Sequence, residues 1–155
     1  MLARSIVVLI LILLTLQRAH TATHQFRFAE GEGKFENAIT GVVYEAYSGF
    51  KSYANRLEYL AHEKGPIPFG AYKVTSIDGA RGKFTVHLGV HNVTDTRNRD
   101  LNGFAIIGED RRARKGNSGD KAIVVDRDCR ERIARDDKIV VSKLDNVPKK
   151  KKKDL

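Results

Sequence analysis

The ten residues Gly65-Pro66-Ile67-Pro68-Phe69-Gly70-Ala71-Tyr72-Lys73-Val74 constrain this chain more than any other stretch. They hold two of its three prolines. Each proline fixes its own φ near about −65° and drives the preceding residue into extended geometry. Gly65 and Gly70 permit sharp bends on either side. The product is a rigid elbow that launches a strand. Pro-Gly loops before strands are common, so the meaning of this one depends on what flanks it.

Downstream, the pattern is that of a β domain. Ala71 to Ile77, the turn residues 78–82 and Lys83 to Val90 read as a hairpin, with Phe84, Val86, Leu88 and Val90 on one face. A polar stretch from His91 to Asn102 leads to the apolar strand Phe104-Ala105-Ile106-Ile107, closed by Gly108. Glu109 to Gly119 reads as a surface loop, Ala122 to Val125 as a buried strand, Arg127 to Arg135 as a short amphipathic helix and Lys138 to Ser142 as the last strand. Upstream, Gln25 to Ala29 alternates polar with aromatic, Gly31 and Gly33 break the run, and Val42-Val43-Tyr44 completes a hairpin of short strands. Tyr47-Ser48-Gly49 reads as a turn and Tyr53 to Ala61 as a short helix or irregular loop. The expected class is mainly β, a sandwich or barrel with one or two short helices.

The ends carry other information. Arg4 precedes an apolar run from Ile6 to Leu16, too short for a bilayer span of roughly 20 residues and right for a signal peptide. Residues 1–22 are read as that signal or an uncleaved anchor, residues 23–142 as the domain and residues 143–155 as a Lys-rich tail. An exported protein is expected, periplasmic or secreted, or in the endoplasmic reticulum lumen of a eukaryote. There Lys152-Lys153-Asp154-Leu155 resembles a retrieval signal and Asn92-Val93-Thr94 a glycosylation acceptor. With 28 Lys and Arg against 19 Asp and Glu, the chain suits anionic partners. Lys149, Lys150, Lys151, Lys152 and Lys153 repel one another and could meet an anionic surface. No aromatic residue interleaves the basic run Arg111-Arg112-Ala113-Arg114-Lys115, which argues against nucleic acid and fits carboxylates instead.

In order, these pieces resemble the L,D-transpeptidase-like domain, in the small secreted form found in type VI secretion effectors that attack peptidoglycan. The resemblance spans roughly residues 25 to 142. It rests on Tyr47-Ser48-Gly49, the Gly65 to Tyr72 elbow, Phe104 to Gly108, and the Ile123-Val124-Val125 strand with its following helix. It implies a groove for peptidoglycan stem peptides, in which Gly65, Pro66, Pro68, Gly70, Tyr72 and Gly108 would shape the site and Arg111, Arg112 and Arg114 would rim it. The family chemistry uses a cysteine thiolate activated by a histidine, because a neutral thiol attacks an amide poorly. In this sequence the histidine position is Ile107 and the cysteine position most simply Ala122, with Ser118 or Asp120 there after a short shift; no alignment supplies a cysteine. Neither isoleucine nor alanine can carry a proton or attack a carbonyl.

The implied protein is therefore a catalytically silent relative that binds stem peptides or an acidic protein partner, as a decoy or immunity factor. Two alternatives stay open. One is an active cell-wall transpeptidase or carboxypeptidase with a displaced nucleophile, either Cys129 or Ser118; the other is a basic interaction protein on the same scaffold. The single cysteine excludes an intramolecular disulfide. His87 and His91, four apart on a strand, stand roughly 13 Å from each other, too far to share a zinc. A monomer without metal or cofactor is expected.

Overall fold

The computed structural model describes residues 21–79, 84–93, 99–109, 116 and 118–145. Side-chain alternation sets its frame. In Thr23–Ala29 (β1), His24, Phe26 and Phe28 point inward and are fully buried; in Glu32–Glu36 (β2), Phe35 does the same. Val43–Glu45 (β3) and Tyr47–Ser48 (β4) follow, then Gly70–Asp78 (β5) and Thr85–Val93 (β6). Ala105–Ile107 (β7), Ala122–Val124 (β8), the single helical turn Arg127–Arg130 (α1) and Lys138–Lys143 (β9) complete the described residues.

The nine strands form one sheet in the order β3-β2-β1-β9-β5-β6-β7-β8-β4. β1 runs parallel to β9 and β7 parallel to β8; the other neighbours are antiparallel. β3 and β4 are separated only by Ala46, yet they stand at opposite ends of this order. The chain itself thus bridges the two edges, and the sheet curls into a nearly closed barrel. Inside lie Phe26, Phe28, Phe35, Tyr72, Phe104 and Ile106, all at most 1% exposed. Phe26 and Phe28 meet at 5.3 Å between ring centroids, and Tyr72 stands edge-on to Phe104 at 5.9 Å. Each such buried side chain contributes about 1.5–3 kcal/mol.

The mainly β architecture and the hairpin of β5 and β6 follow the sequence reading. Several elements differ. The partner of β1 is Glu32–Glu36, not the Val42 segment, and Tyr47-Ser48 is a strand rather than a turn because it pairs with β8. The segment read as a short helix or irregular loop, Tyr53 to Ala61, contains one 3₁₀ turn, Leu57–Tyr59, and follows another, Lys51–Tyr53. The helix expected to reach Arg135 stops at Arg130. Beyond it the bonds tighten to Arg132 N–H with Cys129 and Ile133 N–H with Arg130, and the Asp137 carboxylate captures the Ala134 amide at 3.0 Å. β6 continues through His91 and Asn92; His91 is an extra residue opposite the Ala71–Tyr72 step, a bulge beside Val90, which is 44% exposed.

Residues 1–20, 80–83, 94–98, 110–115, 117 and 146–155 lie outside the described residues. Among them fall most of the signal reading, the rim arginines Arg111, Arg112 and Arg114, Thr94 and the five-lysine tail. Among the described residues no helix is long and apolar enough to cross a membrane.

Candidate functional site

The elbow is a plug rather than a lip. Gly65, Pro66, Ile67 and Pro68 are all buried, with Ile67 fully so. The Ile67 amide donates to Ser48 Oγ at 2.8 Å, and the Tyr72 hydroxyl donates to the Pro68 carbonyl at 2.8 Å. Tyr72 is 0% exposed, so its phenol, pushed well up by burial, faces the interior and not a ligand. The anchor of the elbow is Arg99, for which the sequence offered no signal. Its guanidinium donates to the carbonyls of Leu60 (2.9 Å), Pro66 (2.6 Å), Gly65 (3.0 Å) and Glu63 (3.4 Å), and lies 5.5 Å over the Phe104 ring.

The two family positions occupy neighbouring strands. β7 and β8 pair with Ala105 opposite Ala122 and Ile107 opposite Val124. Ile106 and Ile123 point into the core, so Ile107 and Ala122 share the other face, one diagonal step apart. Tyr47 lies opposite Val124 on the next strand, and its hydroxyl donates to the Glu109 carboxylate at 2.7 Å. Burial foremost, then this bond, pushes the Tyr47 phenol well up. Ser118 stands beside that hydroxyl.

Cys129 belongs to α1 and is 0% exposed. Asn37 Nδ2 donates to its carbonyl at 3.1 Å and lies 3.9 Å from its sulfur. Burial pushes the thiol up to about 11, against weaker lowering by Asn37 and Arg130. The fold therefore favours the neutral thiol, the opposite of what a nucleophile needs. Because the folded value lies above the ordinary 9.0, this group's stabilisation is complete below about pH 9 and fades as pH rises through about 11. At pH 8, iodoacetamide is expected to alkylate folded Cys129 at least about 100-fold more slowly than the unfolded chain, read by mass spectrometry. Comparable rates would restore it as a candidate nucleophile.

Among the described residues a groove of about 1450 Å³ opens where the barrel fails to close. The chain runs beside β2 as β3, turns at Ala46, and joins β8 as β4, so a fork opens between β3 and the segment after β8. Asn55, at a φ of 56°, holds the fork: its Oδ1 accepts from the Ser48 amide at 3.0 Å and its Nδ2 donates to the Ala46 carbonyl at 3.1 Å. Gly33 is required beneath it, because a Cβ there would run into the Ala46 carbonyl oxygen and Asn55 Nδ2.

One wall of the groove is Val43, Tyr44 and Glu45; the other is Val125, Asp126, Arg127 and Arg130, with Gly108 and Glu109 at the end of β7. Glu45 pairs with Lys34 at 3.3 Å and Arg127 with Glu131 at 2.6 Å. The Tyr44 hydroxyl donates across to Asp128 at 2.9 Å, the main reason its phenol is raised. Arg130 differs from the other charges that line the groove. It is 8% exposed, donates through Nη1 to the Phe84 carbonyl, and leaves its buried Nε without a partner. No carboxylate among the described residues stands within ion-pair distance of it. Burial and the nearby Arg127 both lower its pKa, in that order. Its guanidinium lies against Gly108, where a Cβ would come within 2.5 Å of Nη2.

Of the residues singled out in the sequence, Gly108 lines this groove, whereas Ile107, Ala122, Cys129, Tyr72 and the elbow do not. A second polar centre also escaped the sequence reading. His24 Nε2 and Asp137 Oδ2 lie 2.8 Å apart in the interior, with the Ala38 amide donating to His24 Nδ1 at 3.0 Å and the Ala22 amide to Asp137 Oδ1 at 3.0 Å. Nδ1 accepts, so the ring proton sits on Nε2 and is donated to the carboxylate. Every ring nitrogen and carboxylate oxygen of this pair is engaged, which makes it a structural clasp. Comparison with protein-family models, curated proteins and solved structures gives no match for this chain.

Proposed function

We propose that this chain is an exported, catalytically silent domain of the L,D-transpeptidase-like kind whose groove binds peptides of the cell wall, or a protein that handles them. The observation that carries the silent part of the reading is the placement of Ile107 and Ala122, one diagonal step apart and outside the groove. They share one face of two adjacent strands, where the resemblance would put a base and a nucleophile, and both are apolar. The buried, raised thiol of Cys129 gives no substitute. The choice of cell-wall peptides rests on the resemblance. The groove is compatible with it, because Arg130 offers a charge to a carboxylate while Asp126 and Glu32 offer charges to an amine.

A heteronuclear NMR titration with a disaccharide tetrapeptide tests binding. The expected result is saturable shifts at Gly108, Glu109, Val125 and Arg130, with those of the buried Ile67 and Tyr72 unmoved. Shifts confined to other surfaces, or none with either this peptide at millimolar concentration or an acidic all-L peptide, would overturn the reading.

A further inference from the structure

The phase of the β2–β3 ladder decides which backbone groups face the groove. The Asn37 amide donates to Val42 and the Ala46 amide to Gly33, both at 3.1 Å, and the register places Phe35 opposite Tyr44 between these pairs. In an antiparallel ladder bonded pairs alternate with non-bonded ones. Tyr44 therefore exchanges its bonds with Phe35, and the amides and carbonyls of Val43 and Glu45 point away from β2. Among the described residues β3 has no other neighbour in the sheet. An edge of this kind is a template for another strand. Its flank is also apolar, with Ile39 61%, Val42 47% and Val43 55% exposed.

We infer that the groove takes an extended segment of an L-polypeptide, added to β3 as a tenth strand, with an acidic side chain of that segment on Arg130. The inference rests on the groove being the binding site, as proposed above, and specifies its occupant. Strand addition supplies four backbone hydrogen bonds, from the amides and carbonyls of Val43 and Glu45, without demanding a sequence. Specificity comes from the opposite wall. There Arg130 is nine-tenths buried, keeps an unpartnered Nε and lacks an ion-pair partner among the described residues. A guanidinium in that state is matched by a carboxylate, which can take two parallel N–H donors. A stem peptide fits this edge poorly: its alternating chirality cannot keep successive side chains on the two faces of one pleat. The partner is thus a protein segment, not the wall peptide alone.

The test uses the intact chain and a capped heptapeptide that alternates threonine and valine around a central glutamate. Binding is expected to slow exchange of the Val43 and Glu45 amides at least about 10-fold, while the Tyr44 amide, already paired, changes little. N-methylation of alternate peptide amides, and separately a glutamine in place of the glutamate, should each weaken binding about 10-fold or more. Both changes lie in the probe, so the fold of the protein is untouched. Binding without protection of Val43 and Glu45, or indifference to N-methylation, would overturn strand addition. If the disaccharide tetrapeptide binds the groove and the heptapeptide does not, this inference falls while the groove reading stands. If neither binds, both fall.

Discussion

Arg99→Met is expected to lower the unfolding free energy by about 3–5 kcal/mol, the range for losing a buried charge-assisted network. The side chain is 6% exposed and spends its guanidinium on the Leu60, Glu63, Gly65 and Pro66 carbonyls. These oxygens belong to a loop that reverses before the strand, so no ladder can satisfy them. Methionine fills part of the volume but leaves them without donors, at about 1–3 kcal/mol for each one that water cannot reach. Burial also lowers the Arg99 pKa, which measures how far the surrounding dipoles must compensate its charge. Denaturant unfolding should report the loss, together with a melting temperature about 10–20 °C lower. Lysine at this position recovers only part of it, because one ammonium cannot reproduce the planar fork. A change below about 1 kcal/mol would mean the elbow holds itself.

Asp137→Ala is expected to cost a similar amount, about 3–5 kcal/mol, by a different route. One carboxylate accepts from the Ala22 amide, the Ala134 amide and His24 Nε2. Its removal leaves three donors unpaired at the place where the start of the domain, the end of the helical segment and the entry to β9 meet. Long-range ¹⁵N spectra provide an independent check, since the proton on His24 is expected at Nε2 in the intact protein. An Nδ1 proton, or a variant as stable as the parent, would contradict the clasp.

How much of this was legible beforehand differs by element. Strands marked by alternation, β5 and β6, or by a short continuous apolar run, β7 and β8, were readable, with only their ends displaced. β2 was not, because Glu-Gly-Lys-Phe-Glu carries one large apolar residue and a glycine that mimics a turn. β4 was not, because two residues have no period; only its partner β8 makes Tyr47-Ser48 a strand. The helix was overread, since Cys129 and Ile133 have the right spacing, but Asp137 takes the Ala134 amide that the next turn would need. The clasp was readable in principle. His24 shares the parity of Phe26 and Phe28, and Asp137 that of Ile139 and Val141, so both polar side chains were due to point inward. Which strands lie together was not readable: β9 sits between β1 and β5, and no local pattern places the last strand in the middle. The isolation of Arg99 and Arg130 is likewise a property of distant carbonyls and carboxylates, invisible in their neighbours along the chain.

Mass spectrometry of disaccharide tetrapeptides incubated with the intact chain, beside its Cys129→Ala variant and an active L,D-transpeptidase, tests the central claim most directly. The account predicts unchanged peptide masses with both forms of this protein while the active enzyme converts the same sample. Loss of D-alanine or a cross-linked product from the parent chain would contradict it, and disappearance of that product in Cys129→Ala would name the nucleophile.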